Sequence, residues 1–323
     1  MKVKSSEYLT NTRPLLKKLL NRLLESFSYA SILAVDSEAY QYRVSKTVTF
    51  MGEDDLLCNR GFVIKVYDGN AYGEYSFNDI SEEKIEDIVS MVKSVVALKE
   101  SVNGMTLSQY KQLEDEPCTF CESTDYEIAP EDMGDEAILA KLTEIKDDAL
   151  LYDKKILNAT VGLSTQKYSK LFLSPNRDME QNVMWACGML MVDAKKDAVV
   201  KYSFKGFSNL GGIEIMRDIR DGIGHVGKNT LELLEASPIE PGEYDCICTP
   251  EVTGMIAHEA FGHGVEMDMF VKDRALAKSY VGKDVAAPIL TMHDGANMAC
   301  EHEVASYFFD DEGVLSKDTV VIK

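Results

Sequence analysis

No stretch of this 323-residue sequence approaches the ~20 consecutive apolar residues that a membrane-spanning helix needs. Its first residues, MKVKSSEYLTNTRP, carry no apolar block of the kind a signal peptide has. Membrane insertion and export are therefore not expected, and the reading is a cytoplasmic protein. Positive charge is also scarce: 34 Lys and Arg stand against 54 Asp and Glu, a formal net charge of −20. A surface that negative repels phosphate backbones, so nucleic acid is not an expected partner. Cysteine is sparse and odd in number, seven in all and scattered, which suits reduced thiols better than a disulfide framework. Histidine is scarcer still, with five, so two of them close together would stand out. What the chain does have is 45% hydrophobic residues over a length that allows two domains, which excludes a disordered or low-complexity protein.

The apolar pattern reads as α+β, with antiparallel sheets and packed helices. After Thr12 and Pro14, which suit a helix start, leucines at 15, 16, 19, 20, 23 and 24 with Phe27 mark one helical face. The run Tyr40 to Phe50 alternates as a strand, and GFVIKVYDGNAYGEYSF reads as a hairpin turning at Asp68-Gly69-Asn70. Ile85, Ile88, Val89, Val92, Val95 and Val96 recur at the 3.6-residue period of a second helix, about Ser81 to Lys99. Leu107 to Asp135 is acidic and turn-rich. A helical pattern follows to Ile156, then an antiparallel meander to Phe207, then a helix from Glu214 to Ala236 loosened by glycines.

Two prolines in Ser237-Pro-Ile-Glu-Pro-Gly-Glu243 set the domain boundary. Residues 1–236 are expected to form an amino-terminal α+β domain serving access and partner contacts. Residues 237–323 would open a β-rich catalytic domain entered through a metal-binding helix: a buried strand Tyr244 to Cys248, a helix from Thr249-Pro250-Glu251, then a loop and strands. A domain of about 80 residues is marginal alone. The β-branched run Asp318 to Lys323 would also be a strand with nothing after it. The chain is accordingly read as the front part of a longer protein.

Two of the five histidines stand in His258-Glu259-Ala-Phe-Gly-His263, at the end of the helix-like run EVTGMIAHEAFGH. Chance would place H-E-x-x-x-H in such a composition on the order of once in a hundred chains. Two neutral imidazoles suit Zn²⁺, which lowers the pKa of water toward ~7, and an adjacent carboxylate suits the general base, here Glu259. A helix with hydrogen-bonded histidines and a solvated Glu259 is the competing, non-metal reading. On an α-helix, positions i and i+5 lie about 140° apart, so both rings could face one ion only if the extra residue were absorbed. A π-type turn or unwinding near Gly262 and Gly264 is expected to absorb it. Glu266 and Asp268, one turn on, are candidates to orient an imidazole from behind.

Other chemistry-bearing residues carry weaker patterns. Cys118-Thr-Phe-Cys121 is a single C-x-x-C without a second pair, and Cys246-Ile-Cys248 would alternate across a buried strand, so both read as structural. His225 reads as a packing or capping residue, and the methionines at 179, 184, 189 and 191 as core filler. A catalytic zinc wants a third protein ligand, and within the chain His293, Cys300 and His302 are the nearest options.

Pro241-Gly242-Glu243-Tyr244, Thr249-Pro-Glu-Val, the motif through His263-Gly-Val-Glu266-Met-Asp268, Val285-Ala-Ala-Pro288 and Asp310-Asp-Glu-Gly313 together resemble the TldD branch of the TldD/PmbA family of zinc metalloproteases. The likeness is specific from about 237 to 323 and looser before it. It implies His258 and His263 as zinc ligands with Glu259 as base. It also implies a third ligand that is a cysteine in the family's carboxy-terminal part, beyond Lys323, so that this chain alone would bind zinc weakly and be inactive. The implied assembly pairs the motif-bearing subunit with a related PmbA-like (TldE-type) subunit, and the implied substrates are short or unfolded peptides held as an added strand between subunits. A different class of reading, a non-catalytic scaffold subunit, leaves the intact Glu259 without a purpose.

Overall fold

The computed structural model describes residues 1–69, 72–101, 111–296 and 306–323. Contacts divide the chain into two units, one of residues 1–236 with 297–316, the other of residues 237–296 with 317–323. The division thus falls after Ala236, while the segment ending at Ser316 packs with the first unit rather than with the residues around it in sequence.

In the first unit α1 (Glu7–Leu24) is followed by β1 (Tyr29–Val44), β2 (Thr49–Glu53), β3 (Arg60–Tyr67) and β4 (Tyr72–Phe77). Helix α2 (Ile85–Ser101), β5 (Cys118–Ser123), the short α3 (Pro130–Met133) and α4 (Asp135–Leu151) come next. The long strands β6 (Ile156–Leu173), β7 (Arg177–Lys196) and β8 (Val199–Asn209) then lead to α5 (Met216–Asp221) and α6 (Ile223–Glu235). The strands form one eight-stranded sheet in the order β4-β3-β1-β6-β7-β5, with β2 added to β1 and β8 to β7. Every pairing is antiparallel except that of β5 with β7. The fold class is therefore the α+β arrangement of antiparallel sheet and packed helices expected from the apolar pattern.

Side-chain parity decides which face the helices cover. Ala30, Ile32 and Ala34 of β1 pack with α1 and α2, while Tyr42 and Val44, of the same parity, pack with α4 and α6. Successive strand residues point to opposite faces, so both helical groups cover one face of the sheet, at its two ends. Helix α2 buries Ile85, Ile88, Val89, Val92 and Val96, the stripe its period predicts.

Several boundaries differ from the sequence reading. Helix α1 begins at Glu7, because Ser6 caps it by accepting a hydrogen bond from Leu9 N at 3.1 Å, and Pro14 lies inside the helix. The run Tyr40 to Phe50 is the end of β1, a turn and the start of β2. Gly69 takes a φ of +106°, as a tight turn requires, while Asn70 lies outside the described residues. The acidic stretch before Asp135 contains β5, whose alternate residues are only half-buried and leave little apolar signal. The helix read from Glu214 to Ala236 divides at Gly222 into α5 and α6.

The second unit holds α7 (Pro250–Ala257), a π turn (His258–Gly262), a 3-10 turn (His263–Val265) and α8 (Met267–Val271). A 3-10 segment (Leu276–Tyr280) follows, then a two-stranded antiparallel sheet of β9 (Met292–Asp294) and β10 (Thr319–Ile322). The buried strand expected at Tyr244 to Cys248 is absent: the segment is irregular, and Ile247 is fully exposed. None of this unit's described residues is buried. Among the described residues, no helix is long and apolar enough to cross a membrane.

Candidate metal centre

Helix α7 opens with Thr249 at the cap position and Pro250 at the first helical position, where a proline's missing N–H costs nothing. It runs to Ala257 and gives way at His258 to a turn of π geometry that ends at Gly262. The backbone N–H of His263 donates to the His258 carbonyl, an i→i+5 bond. That wider turn takes in the additional residue and brings i and i+5 toward the alignment that i and i+4 have on an α-helix. Gly262 takes an ordinary helical φ of −54°, and neither it nor Gly264 is among the residues of positive φ. A Cβ at Gly262 would meet Ala257 O at 3.6 Å and one at Gly264 would meet nothing. The distortion is thus spread over His258 to Gly262 and does not depend on a glycine-only conformation.

The result is a cluster of donors on one side of the turn. Ligand atoms of His258, Glu259 and His263 all lie within 4.8 Å of one another. The two imidazoles meet edge to face, with centroids 4.4 Å apart and planes at 70°. Glu259 Oε2 is 3.9 Å from His263 Nε2. On the far side of the same ring, His263 Nδ1 is 2.9 Å from Glu266 Oε1, which leaves Nε2 directed to the cluster.

The donor set fits a zinc ion. Two ligands at ~2.1 Å from one tetrahedral ion are about 3.4 Å apart, so the side chains need to close by about 1.5 Å at most. All three residues are exposed, so side-chain rotation of that size meets little resistance.

The remaining candidates are placed elsewhere. Asp268 pairs with Lys272 at 2.8 Å and does not approach a histidine; the hydrogen bond from Lys272 holds its carboxyl below the usual range. His293 in β9 is held by Asp318 at 2.8 Å, a partner 25 residues away that the sequence reading did not single out. Cys300 and His302 lie outside the described residues. Cys118 and Cys121 sit on β5 three residues apart, so their side chains point to opposite faces and cannot grip one ion. Burial pushes the Cys121 thiol upward, away from reactivity. His225 on α6 contacts Asn229 at 3.0 Å, and Cys246 and Cys248 are exposed. Met179 and Met184 are core residues, whereas Met189 and Met191 are half-buried on the face opposite the helices.

A groove of about 650 Å³ begins at the π turn itself, with Phe261, Val265, Phe270, Tyr280, Val285 and Pro288 among its walls. Phe261 lies between Glu259 and His263 in the chain, so the groove and the donor cluster share one turn.

Residues 241–323 match the family model described as the PmbA/TldA metallopeptidase C-terminal domain. A metalloprotease of Methanocaldococcus jannaschii is 26% identical over 314 residues, 94% of this chain and 66% of that protein. A zinc metalloprotease TldD homolog of Saccharolobus solfataricus is 30% identical over 136 residues, 42% of this chain and 30% of that protein. The chain therefore spans less than two thirds of these relatives' length in each match. The crystal structure of TldE from Thermococcus kodakarensis superposes with a TM-score of 0.67 at 15% identity, covering 95% of this chain and 67% of that one, a likeness of fold. Residues 241–323 thus match the carboxy-terminal domain of the PmbA/TldA metallopeptidases, and the chain as a whole is similar to metalloproteases of that kind and shares the fold of TldE.

Proposed function

We propose that this chain is the motif-bearing, TldD-like subunit of a zinc-dependent peptidase that hydrolyses short or unfolded peptides in the cytoplasm, together with a related TldE-type subunit. The observation that carries this reading is the convergence of His258, Glu259 and His263 across a turn widened to π spacing. A helix serving only as structure gains nothing from the widening and has no use for a carboxylate beside two imidazoles. The zinc named for the Saccharolobus relative suits the same donors.

On this reading His258 and His263 hold the ion through imidazole nitrogen, and Glu266 fixes the ring of His263 from behind. Zn²⁺ bound there supplies a Lewis acid that lowers the pKa of water toward ~7. Glu259 accepts the proton of the attacking water as its oxygen bonds to the peptide carbonyl carbon, and delivers a proton to the amine as the C–N bond breaks. The resemblance to the family implies a cysteine of its carboxy-terminal part as the third protein ligand. The groove at Phe261 shares that turn and offers an apolar wall to one side chain of a bound peptide.

The test uses the full-length protein with its related subunit. Glu259→Gln should keep zinc, measured by elemental analysis, while hydrolysis of a fluorogenic peptide falls by about three orders of magnitude or more. His258→Ala and His263→Ala should lose the metal. Hydrolysis by Glu259→Gln near the wild-type rate would remove Glu259 from the role of base.

A further inference from the structure

Residues 306–316 lie against the face of the sheet that the helices leave uncovered. Phe309 is fully buried there with Phe172 of β6 and Met179 of β7. Gly313, at a φ of +72°, closes a turn within Asp310-Asp-Glu-Gly313, where a Cβ would stand 2.5 Å from the Phe172 ring. Asp310 organises the turn by accepting from the N–H groups of Glu312 and Val314, each at 2.9 Å. Among the described residues this acidic motif is not one of the donors of the candidate metal centre, and its seat on the sheet is a feature of the first unit.

The attachment is unusual in kind. The backbone bonds of the segment close on itself: Asp310 N–H donates to Val314 C=O and Ser316 N–H to Phe308 C=O. Among the described residues, the hydrogen bonds that join it to the sheet come from sheet side chains. Trp185 Nε1 donates to Ser306 C=O at 3.2 Å, and Arg177 donates to Gly313 C=O at 2.8 Å. Gln181 Oε1 accepts from Phe308 N–H at 2.8 Å and Phe309 N–H at 3.1 Å. Lys170, only 3% exposed, donates to Phe309 C=O at 3.1 Å and to Asp311 at 2.7 Å. Its ammonium group also lies 5.1 Å from the Tyr307 ring centre and 5.5 Å from that of Phe309.

Two features set this seat against itself. Lys170 is a buried cation whose ion-pair partner Asp311 has a largely exposed side chain, so the pair recovers only part of the desolvation cost. Gln181 is fully buried, and its Nε2 has no hydrogen-bond partner. Departure of the segment would rehydrate both groups and break no ladder bond of the sheet.

We propose that residues 306–316 form a releasable strap, latched by Lys170 and Gln181, that opens while the sheet stays folded. The strap is a conformational device of the first unit, and it stands or falls independently of the peptidase reading.

Hydrogen exchange followed by mass spectrometry on the full chain tests it. In the wild type, peptides covering 306–316 should exchange at least about 10-fold faster than those of β6 and β7. Lys170→Met orphans the buried Phe309 carbonyl and Gln181→Leu orphans two N–H groups. Each should speed strap exchange by a further 10-fold or so and leave β6 and β7 protected. Asp311→Asn, at an exposed side chain, gives a variant that folds normally and should show the same direction with a smaller change. Strap exchange in step with the sheet in the wild type would overturn the proposal. So would strap exchange unmoved by all three substitutions, or strap and sheet rising together.

Discussion

His263 Nδ1 stands 2.9 Å from Glu266 Oε1, while Asp268, two residues further along, turns away to Lys272. Of the two acidic residues after the motif, only Glu266 is placed to fix an imidazole. A carboxylate behind a ligating histidine sets its tautomer and raises its basicity, and its loss typically weakens metal binding 10- to 100-fold. Glu266→Gln should therefore lower zinc affinity by about that factor, read by competition with a chromogenic chelator. Asp268→Asn should leave it within about 2-fold. Equal losses from both substitutions would mean that local charge, not the His263 contact, is what matters.

The π turn gives a second prediction. Since Gly262 has a helical φ and a Cβ there would meet only ordinary contact distances, the alignment of His258 with His263 does not need glycine. Gly262→Ala should retain zinc and, in the assembled protein, most of the peptide hydrolysis. Loss of metal in this variant would show that the turn relies on backbone freedom at Gly262 after all.

The groove beginning at Phe261 can be separated from the chemistry. Phe261→Ala enlarges an apolar wall without touching a donor atom, so it should change which peptides are cut more than whether any are cut. Compared over peptides that differ in one apolar side chain, kcat/KM should shift by about 10-fold in favour of larger groups, at unchanged zinc content. A uniform loss over all peptides would place Phe261 in the support of the metal turn.

What could be read in the sequence follows from how one-sided each element is. Helix α2 was legible because one face is buried and the other wet, so Ile85, Ile88, Val89, Val92 and Val96 recur at the helical period. Strand β5 was not, because Cys118 to Ser123 alternates only between half-buried and exposed positions, and its parallel partner β7 lies more than fifty residues on. Tyr244 to Cys248 looked like a buried strand on apolar alternation alone, yet no strand partner is present among the described residues and the segment stays open. In the candidate metal centre, the spacing of His258 and His263 pointed to a π-type turn or unwinding, because a regular α-helix would hold the two rings about 140° apart. The Asp318 partner of His293 could not be foreseen, since only the pairing of β9 with β10 brings the two together.

Gly212 marks a point where the first unit's packing has no slack. The Glu214 carboxylate accepts hydrogen bonds from the N–H groups of Glu127, Ile128 and Gly212, drawing the two chain segments together. A Cβ on Gly212 would stand 2.0 Å from the Ile128 carbonyl oxygen, backbone that cannot swing aside. Gly212→Ala should destabilise the unit by about 1–3 kcal/mol in urea unfolding, with an unchanged m-value. A midpoint equal to that of the wild type would show that the 127–128 segment yields.

The first helix is tied to the sheet by charge, and this makes stability depend on pH in a definite direction. Arg13 of α1 bonds Asp178 and reaches Glu180 at 2.8 Å, and Lys17 reaches Asp178 at 2.6 Å. Partial burial works to raise the Asp178 pKa, but the hydrogen bonds from Lys17 and Arg13 outweigh it and hold the carboxyl below its ordinary value. A carboxylate depressed in the folded state binds fewer protons there than when unfolded. Its contribution is therefore complete above the unfolded value of about 3.9 and is lost as the pH falls through the lower folded value. Urea unfolding at a series of pH values from 6 to 3 should show stability falling more steeply for the wild type than for Asp178→Asn, which has no proton to take up. The two curves should draw together toward the acid end, as the wild-type carboxyl takes up its proton. Parallel curves over the whole range would mean that the ion pair holds α1 in place without contributing to stability.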